Sequence, residues 1–235
     1  RDAPGIPDHT YQEKTIASQM GLSSPPGREA TTRWIMGQPL QFAPGADYAY
    51  SNIGYLVLGQ IVEEVTGEKL IDYVRDEVFT PKSGWPAPQL IHGRTFAADQ
   101  DPREPYYDST TVSSNVFYPA ESSSPFVSRP YGGWDHESRI GQGGIVTDAM
   151  TLLDYLDRYQ VAGNNIGLAR SVFSNSTWTH TGAFAGTNAI ATQRNDGITF
   201  AVIFNKQRSS GDSYTATHST RSSMAVRSLH GRRRI

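Results

Sequence analysis

Apolar residues recur on a helical period between residues 52 and 79 and on a strand period after residue 177, and this change limits the folds open to the chain. In the first stretch Ile53, Val57, Ile61 and Val65 recur every four residues, with Leu56, Leu58 and Val62 beside them. Such a pattern predicts a helix that is apolar around much of its girth and largely buried. Ser51 and Asn52 at its start are N-cap residue types, and Thr66-Gly67 is a natural stop. Leu70, Ile71, Val74 and Val78 predict a second helix reaching Phe79, before Pro81. Shorter helices are expected over residues 28–37 and 148–159. In the last third, residues 177–181, 188–192 and 199–204 read as strands separated by glycine-containing turns, among them Asn195-Asp196-Gly197. That is an antiparallel meander, closed by a helix expected over residues 213–229. Helices first and a meander after predict an α+β fold with its helices segregated. The expected division is a mainly helical and loop region over residues 1–165 and a sheet region over 166–235.

Composition excludes several kinds of chemistry. Cysteine is absent, which rules out disulfides, thiolate metal sites and cysteine nucleophiles. A net charge of −2 gives no electrostatic basis for binding nucleic acid or an anionic membrane. The run Arg232-Arg233-Arg234 reads as a solvated terminus. No apolar stretch approaches the ~20 residues that span a bilayer. Residues 81–130 are rich in Pro, Ser, Asp and Tyr with weak periodicity. Trp85, Phe96, Tyr106, Tyr107, Phe117 and Tyr118 supply apolar anchors there, so ordered loops are expected rather than a linker. These aromatics are also expected to wall a site with apolar surface.

Two short motifs have the residue types for catalysis. Tyr50-Ser51-Asn52 stands at the mouth of the first helix, where the positive end of the helix dipole favours a phenolate and Asn52 offers a donor and an acceptor. His180-Thr181-Gly182 is expected at the end of the first meander strand, where glycine lets a ligand approach the backbone. Taken singly, a Tyr-Ser-Asn more often packs and caps a helix, and a strand histidine is more often structural. Gly141-Gln142-Gly143-Gly144 fails as a phosphate loop, because no strand precedes it and no Gly-Lys-Ser/Thr follows. Close helix packing or a tight turn accounts for it better. His9, His92, His136, His218 and His230 show no metal-like spacing with a carboxylate, so no metal and no cofactor is expected. The chain holds no Gly-x-Ser-x-Gly, since Gly21-Leu22-Ser23-Ser24-Pro25 lacks the last glycine. No serine is followed three residues on by lysine.

In order and separation these pieces resemble the serine β-lactamase-like superfamily: class C β-lactamases, DD-peptidases and the family VIII-type esterases that share their fold. Phe42-Ala43-Pro44-Gly45 through Tyr50-Ser51-Asn52, with Leu58-Gly59 and Glu64-Val65-Thr66-Gly67, looks like the family's second motif and its helix. Gly143-Gly144 through Asp148 looks like the step before a late helix. His180-Thr181-Gly182, with Gly186 and Asn205, looks like the Lys/His-Thr-Gly strand and its partners. The resemblance implies a β-lactamase/transpeptidase-like fold and acyl transfer to a serine, followed by hydrolysis.

The resemblance also implies roles. Tyr50 would be the general base or proton relay, and Asn52 would bond the family's lysine and the substrate's acyl side. His180 would orient the tyrosine or the leaving group, and Thr181 would hold substrate polar groups. Gly182 would admit the substrate, and the Ala183 N–H would be half of the oxyanion hole. The serine and its lysine lie, in this family, in an upstream Ser-x-x-Lys helix, which is therefore expected as a partner segment of this chain. A secreted or periplasmic location would fit the resemblance. The expected substrates are small esters or peptides rather than cephalosporins, because an imidazole attracts a carboxylate less at neutral pH than an ammonium does. The main alternative is a non-catalytic relative that binds or scaffolds, and a weaker one is a carbohydrate-binding module.

Overall fold

The computed structural model describes residues 13–79, 84–161, 167, 169–170 and 176–206. Two helices open the described chain, α1 (Glu13–Met20) and α2 (Gly27–Met36). The first is not visible in the periodicity, since its apolar face amounts to Ile16 and Ala17, both fully buried. The helix expected from the four-residue recurrence is α3 (Asn52–Thr66). Ser51 caps it by accepting from the Gly54 N–H at 3.1 Å, and Gly67 ends it in the left-handed conformation at φ 74°. Leu70–Tyr73 forms α4, which runs on into a π-helical turn at Val74–Val78.

The expectation that α3 is largely buried is corrected. Ile53, Leu56 and Gly59 are buried, whereas Tyr55, Leu58, Ile61 and Val65 form an exposed stripe, Leu58 at 55% and Val65 at 79%. Among the described residues the helix packs against α2, α4 and a 3₁₀ helix at Glu137–Gln142. That contact explains Gly141: a Cβ there would sit 2.6 Å from the Tyr55 carbonyl oxygen and 3.2 Å from the Leu56 Cα. The glycine is a packing residue, which lets the 3₁₀ helix lie directly on the α3 backbone.

Residues 84–130 contain short strands within their loops. Leu90–His92 (β1) pairs antiparallel with Ile145–Thr147 (β4), and Val112–Ser114 (β2) pairs with Phe126–Ser128 (β3). Phe96 and Phe117 anchor this region, their ring centroids 4.9 Å apart. Next comes α5 (Ala149–Arg158), capped by Asp148, whose carboxylate accepts from the Thr151 N–H at 2.7 Å. It lies against one face of the meander β5 (Trp178–Phe184), β6 (Thr187–Gln193) and β7 (Thr199–Phe204), ordered β5-β6-β7. Gln193, buried on β6, ties helix to sheet by donating to the Leu156 and Tyr159 carbonyls at 2.6 Å each. The expected closing helix over residues 213–229 lies outside the described residues. Among the described residues no helix is long and apolar enough to cross a membrane.

Candidate active site

Strand β5 is longer than the sequence pattern implies, running to Phe184, so His180-Thr181-Gly182 lies inside it rather than at its end. Its register pairs His180 with Ala191, Thr181 with Ile190, Gly182 with Ala189 and Ala183 with Asn188. β5 is also an outer strand of the three-stranded sheet, and residues 179–183 are exposed between the partly buried Trp178 and Phe184. Ala185 and Gly186 turn the chain into β6, and Gly186 takes a φ of 77°. A Cβ on Gly186 would meet the Tyr107 Cβ at 2.7 Å, so this turn sits directly on the loop that carries Tyr107.

The α3 side of the site is built by the N-cap. Ser51 is spent on the helix and is 1% exposed, which excludes it as an accessible nucleophile. Capping turns the flanking Tyr50 and Asn52 outward, and the Tyr50 hydroxyl donates to the Asn52 Oδ1 at 3.2 Å. A cavity of about 1280 Å³ is lined by Tyr50 and Asn52 on one side and by His180, Thr181, Gly182 and Ala183 on another. All six residues singled out in the sequence therefore face one space.

The rest of the wall is largely apolar, as expected, but of the aromatic anchors only Tyr107 reaches it. The middle segment contributes Gln89, Ile91, Arg94, Gln100, Arg103, Glu104 and Pro105 besides, while Phe96 and Phe117 pack on each other elsewhere. Arg103 bonds both Asp101 and the Gln89 Oε1, and Arg94 pairs with Glu137 at 3.3 Å. These polar residues carry no period and belong to no motif, so only their shared position on the cavity identifies them. Tyr107 is no rival to Tyr50 as a base. It donates to the Glu104 Oε2 at 2.8 Å, and burial together with that carboxylate pushes its phenol well above the ordinary range.

His136 also lines the cavity but is held neutral. Its Nε2–H donates to the Pro130 carbonyl at 2.9 Å, and its ring lies 5.1 Å from that of Phe184. Burial lowers its pKa to about 4, a shift the Pro130 bond and Asp135 oppose and Arg139 reinforces. Unfolding frees the ring to take up a proton below about pH 6.5, while the folded form resists until about pH 4. The stabilisation is thus complete above pH 6.5 and lost as the pH falls towards 4. At about 1.4 kcal/mol per pH unit, roughly 3 kcal/mol should disappear across that window. Urea midpoints of the protein that contains this chain, measured against pH, check this: His136→Gln should flatten the acid limb, and an unchanged limb would count against it.

A family model described as Beta-lactamase matches residues 4–172, more than half of the chain. The chain belongs to the beta-lactamase family. Among relatives of this family member is an Escherichia coli (strain K12) protein named "Putative D-alanyl-D-alanine carboxypeptidase", 37% identical over 78 residues, which are 33% of this chain and 17% of the relative. A protein of the same name from Salmonella schwarzengrund (strain CVM19633) is 30% identical over 107 residues, covering 39% of this chain and 24% of the relative. The chain thus spans less than a quarter of the length of these relatives. A D-stereospecific amidohydrolase from Streptomyces sp. superposes with a TM-score of 0.52 at 18% identity, over 86% of this chain and 64% of that one. This last likeness is one of fold, and it agrees with the α+β, β-lactamase-like architecture described above.

Proposed function

We propose that this beta-lactamase family chain supplies the base and oxyanion side of a serine hydrolase, which acts through an acyl-enzyme on small peptides, amides or esters. The nucleophile and its lysine come from a Ser-x-x-Lys segment outside these 235 residues. One observation carries the reading: Tyr50 and Asn52, from the start of α3, line the same cavity as His180, Thr181, Gly182 and Ala183 from β5. Tyr50, as the phenolate, takes the serine proton while the serine oxygen attacks the substrate carbonyl. The oxyanion accepts from the Ala183 N–H and from the serine's own N–H. Its collapse breaks the bond to the leaving group, which receives the proton back through Tyr50 and His180. Asn52 holds the acyl side and Thr181 the polar groups of the substrate. Water then attacks the acyl-serine by the same route, regenerating the enzyme.

Gln89, Gln100, Arg94 and Arg103, set among apolar residues on the cavity wall, suit a peptide or amide, whose polar groups need partners once desolvated. The names of the two curated relatives point the same way. In the protein that contains this chain, a fluorophosphonate or penicillin should add one covalent label, detected by intact mass. Turnover of D-alanyl peptides or p-nitrophenyl esters should exceed that of a cephalosporin in kcat/KM. No label and no turnover would leave the non-catalytic alternative standing, and a preference for the cephalosporin would overturn the substrate class alone.

A further inference from the structure

At the edge of the cavity, which Arg139 and Gln142 help to line, runs a buried polar tether that the proposed chemistry does not use. Glu13 and Arg139 are both buried, at 7% and 4% exposure, and the Arg139 Nη2 donates to the Glu13 Oε1 at 2.7 Å. The same carboxylate oxygen accepts from the Asp135 N–H at 3.1 Å. The Gln142 side-chain amide lies 3.2 Å from both the Arg139 Nη1 and the Asn52 carbonyl oxygen, and with its oxygen turned to the guanidinium, the orientation that satisfies both ends, it accepts from Nη1 and donates to that carbonyl. On its flat side the guanidinium lies 5.0 Å from the Trp134 ring centre. Trp134 in turn meets Phe184, the last residue of β5, edge to face at 4.6 Å. One arginine therefore reaches α1, the first residue of α3 and the end of the strand bearing His180-Thr181-Gly182.

A buried ion pair is a poor device for stability, because desolvation of both charges offsets most of their attraction. It is a good device for fixing geometry, since the planar fork of arginine sets the direction of each bond. Asn52 is the point at which that direction matters. Its carbonyl is one residue from the Ser51 cap and two from the hydroxyl of Tyr50, which bonds the Asn52 side chain. We infer that Arg139 and Gln142 are positioning residues that hold the start of α3, and with it Tyr50 and Asn52, in register with β5. This inference rests on the hydrolase reading for its kinetic consequence but not for its structural one.

Arg139→Ala would strand the Glu13 charge and risks unfolding the protein, so Gln142→Leu is the sharper variant. It keeps the volume and removes both bonds. In the protein that contains this chain, Gln142→Leu should lower kcat about tenfold with KM changed less than twofold, since misplacing a catalytic group slows the chemical step more than binding. Arg139→Lys, which keeps the charge and loses the fork, should match it. On a Tyr50→Phe background the Gln142→Leu penalty should shrink to the part carried by Asn52, because what acts through Tyr50 has nothing left to position. Additive losses would overturn the inference while leaving the role of Tyr50 intact. Amide exchange decides independently of turnover: Gln142→Leu should speed exchange at Gly54 and Tyr55 but leave Glu63 and Glu64 unchanged. Unaltered exchange at the start of α3 would also overturn the tether. A wild-type protein without any turnover would sink the hydrolase reading instead, and the exchange result would still stand.

Discussion

Tyr50→Phe should lower kcat by about 10²-fold or more, the scale for losing a positioned acid–base group, while the unfolding midpoint hardly moves. The two halves of this expectation come from different parts of the structure. Tyr50 is 54% exposed, so its ring contributes little buried surface, and the substitution removes a single hydroxyl. That hydroxyl lies at the positive end of a 15-residue helix and bonds the Asn52 side chain at 3.2 Å. As a phenol it donates to Asn52. Acting as a base requires the phenolate, whose charge is favoured by the helix terminus and, in the proposed enzyme, by the lysine of the Ser-x-x-Lys segment. In the proposed enzyme the substitution takes away the serine's proton acceptor, yet the N-cap formed by Ser51 is untouched. Steady-state turnover and thermal melts of the same preparations test both halves. Near-native turnover would return Tyr50 to a surface residue beside a helix cap.

Residues whose position follows a period were readable in advance. The four-residue recurrence marks α3, and the cap and stop residues mark its ends to within one position. Alternation marks the meander, although the pattern stops at Thr181 while the strand continues to Phe184, because Gly182 and Ala183 have no strand propensity of their own and are held by pairing with β6. Gly141 is legible as close packing, with the partner unnamed. What escapes is everything set by tertiary contact between polar residues. Helix α1 carries only two buried apolar side chains and is fastened through Glu13 to Arg139, a residue far along the chain. Gln142 and the wall of Gln89, Arg94, Arg103 and Glu104 likewise have no periodic signature. Even the exposed stripe on α3 misleads the pattern, since an apolar helix surface looks the same in sequence whether or not a neighbour covers it.

That stripe supports the second large expectation: residues 1–235 expressed without further sequence should be insoluble or molten and should not react with serine-directed probes. Tyr55, Leu58, Ile61 and Val65 are exposed along one side of α3, and Leu58, Ile61 and Val65 are each at least half exposed. Covering side chains of this kind yields roughly 1.5–3 kcal/mol for each one fully buried, a large share of the ~5–15 kcal/mol by which a domain is stable. A second liability adds to this. The exposed outer strand β5 borders the cavity and invites pairing with another chain. The proposed Ser-x-x-Lys helix answers both needs, since a helix laid between α3 and β5 would cover apolar surface and bring a serine to Tyr50. Co-expression with such a segment should therefore restore solubility, near-ultraviolet circular dichroism and labelling together, whereas the lone chain should bind a hydrophobic dye and melt without cooperativity. A monomer of residues 1–235 that unfolds in one sharp transition would refute the partner segment and favour a protein that binds without catalysing.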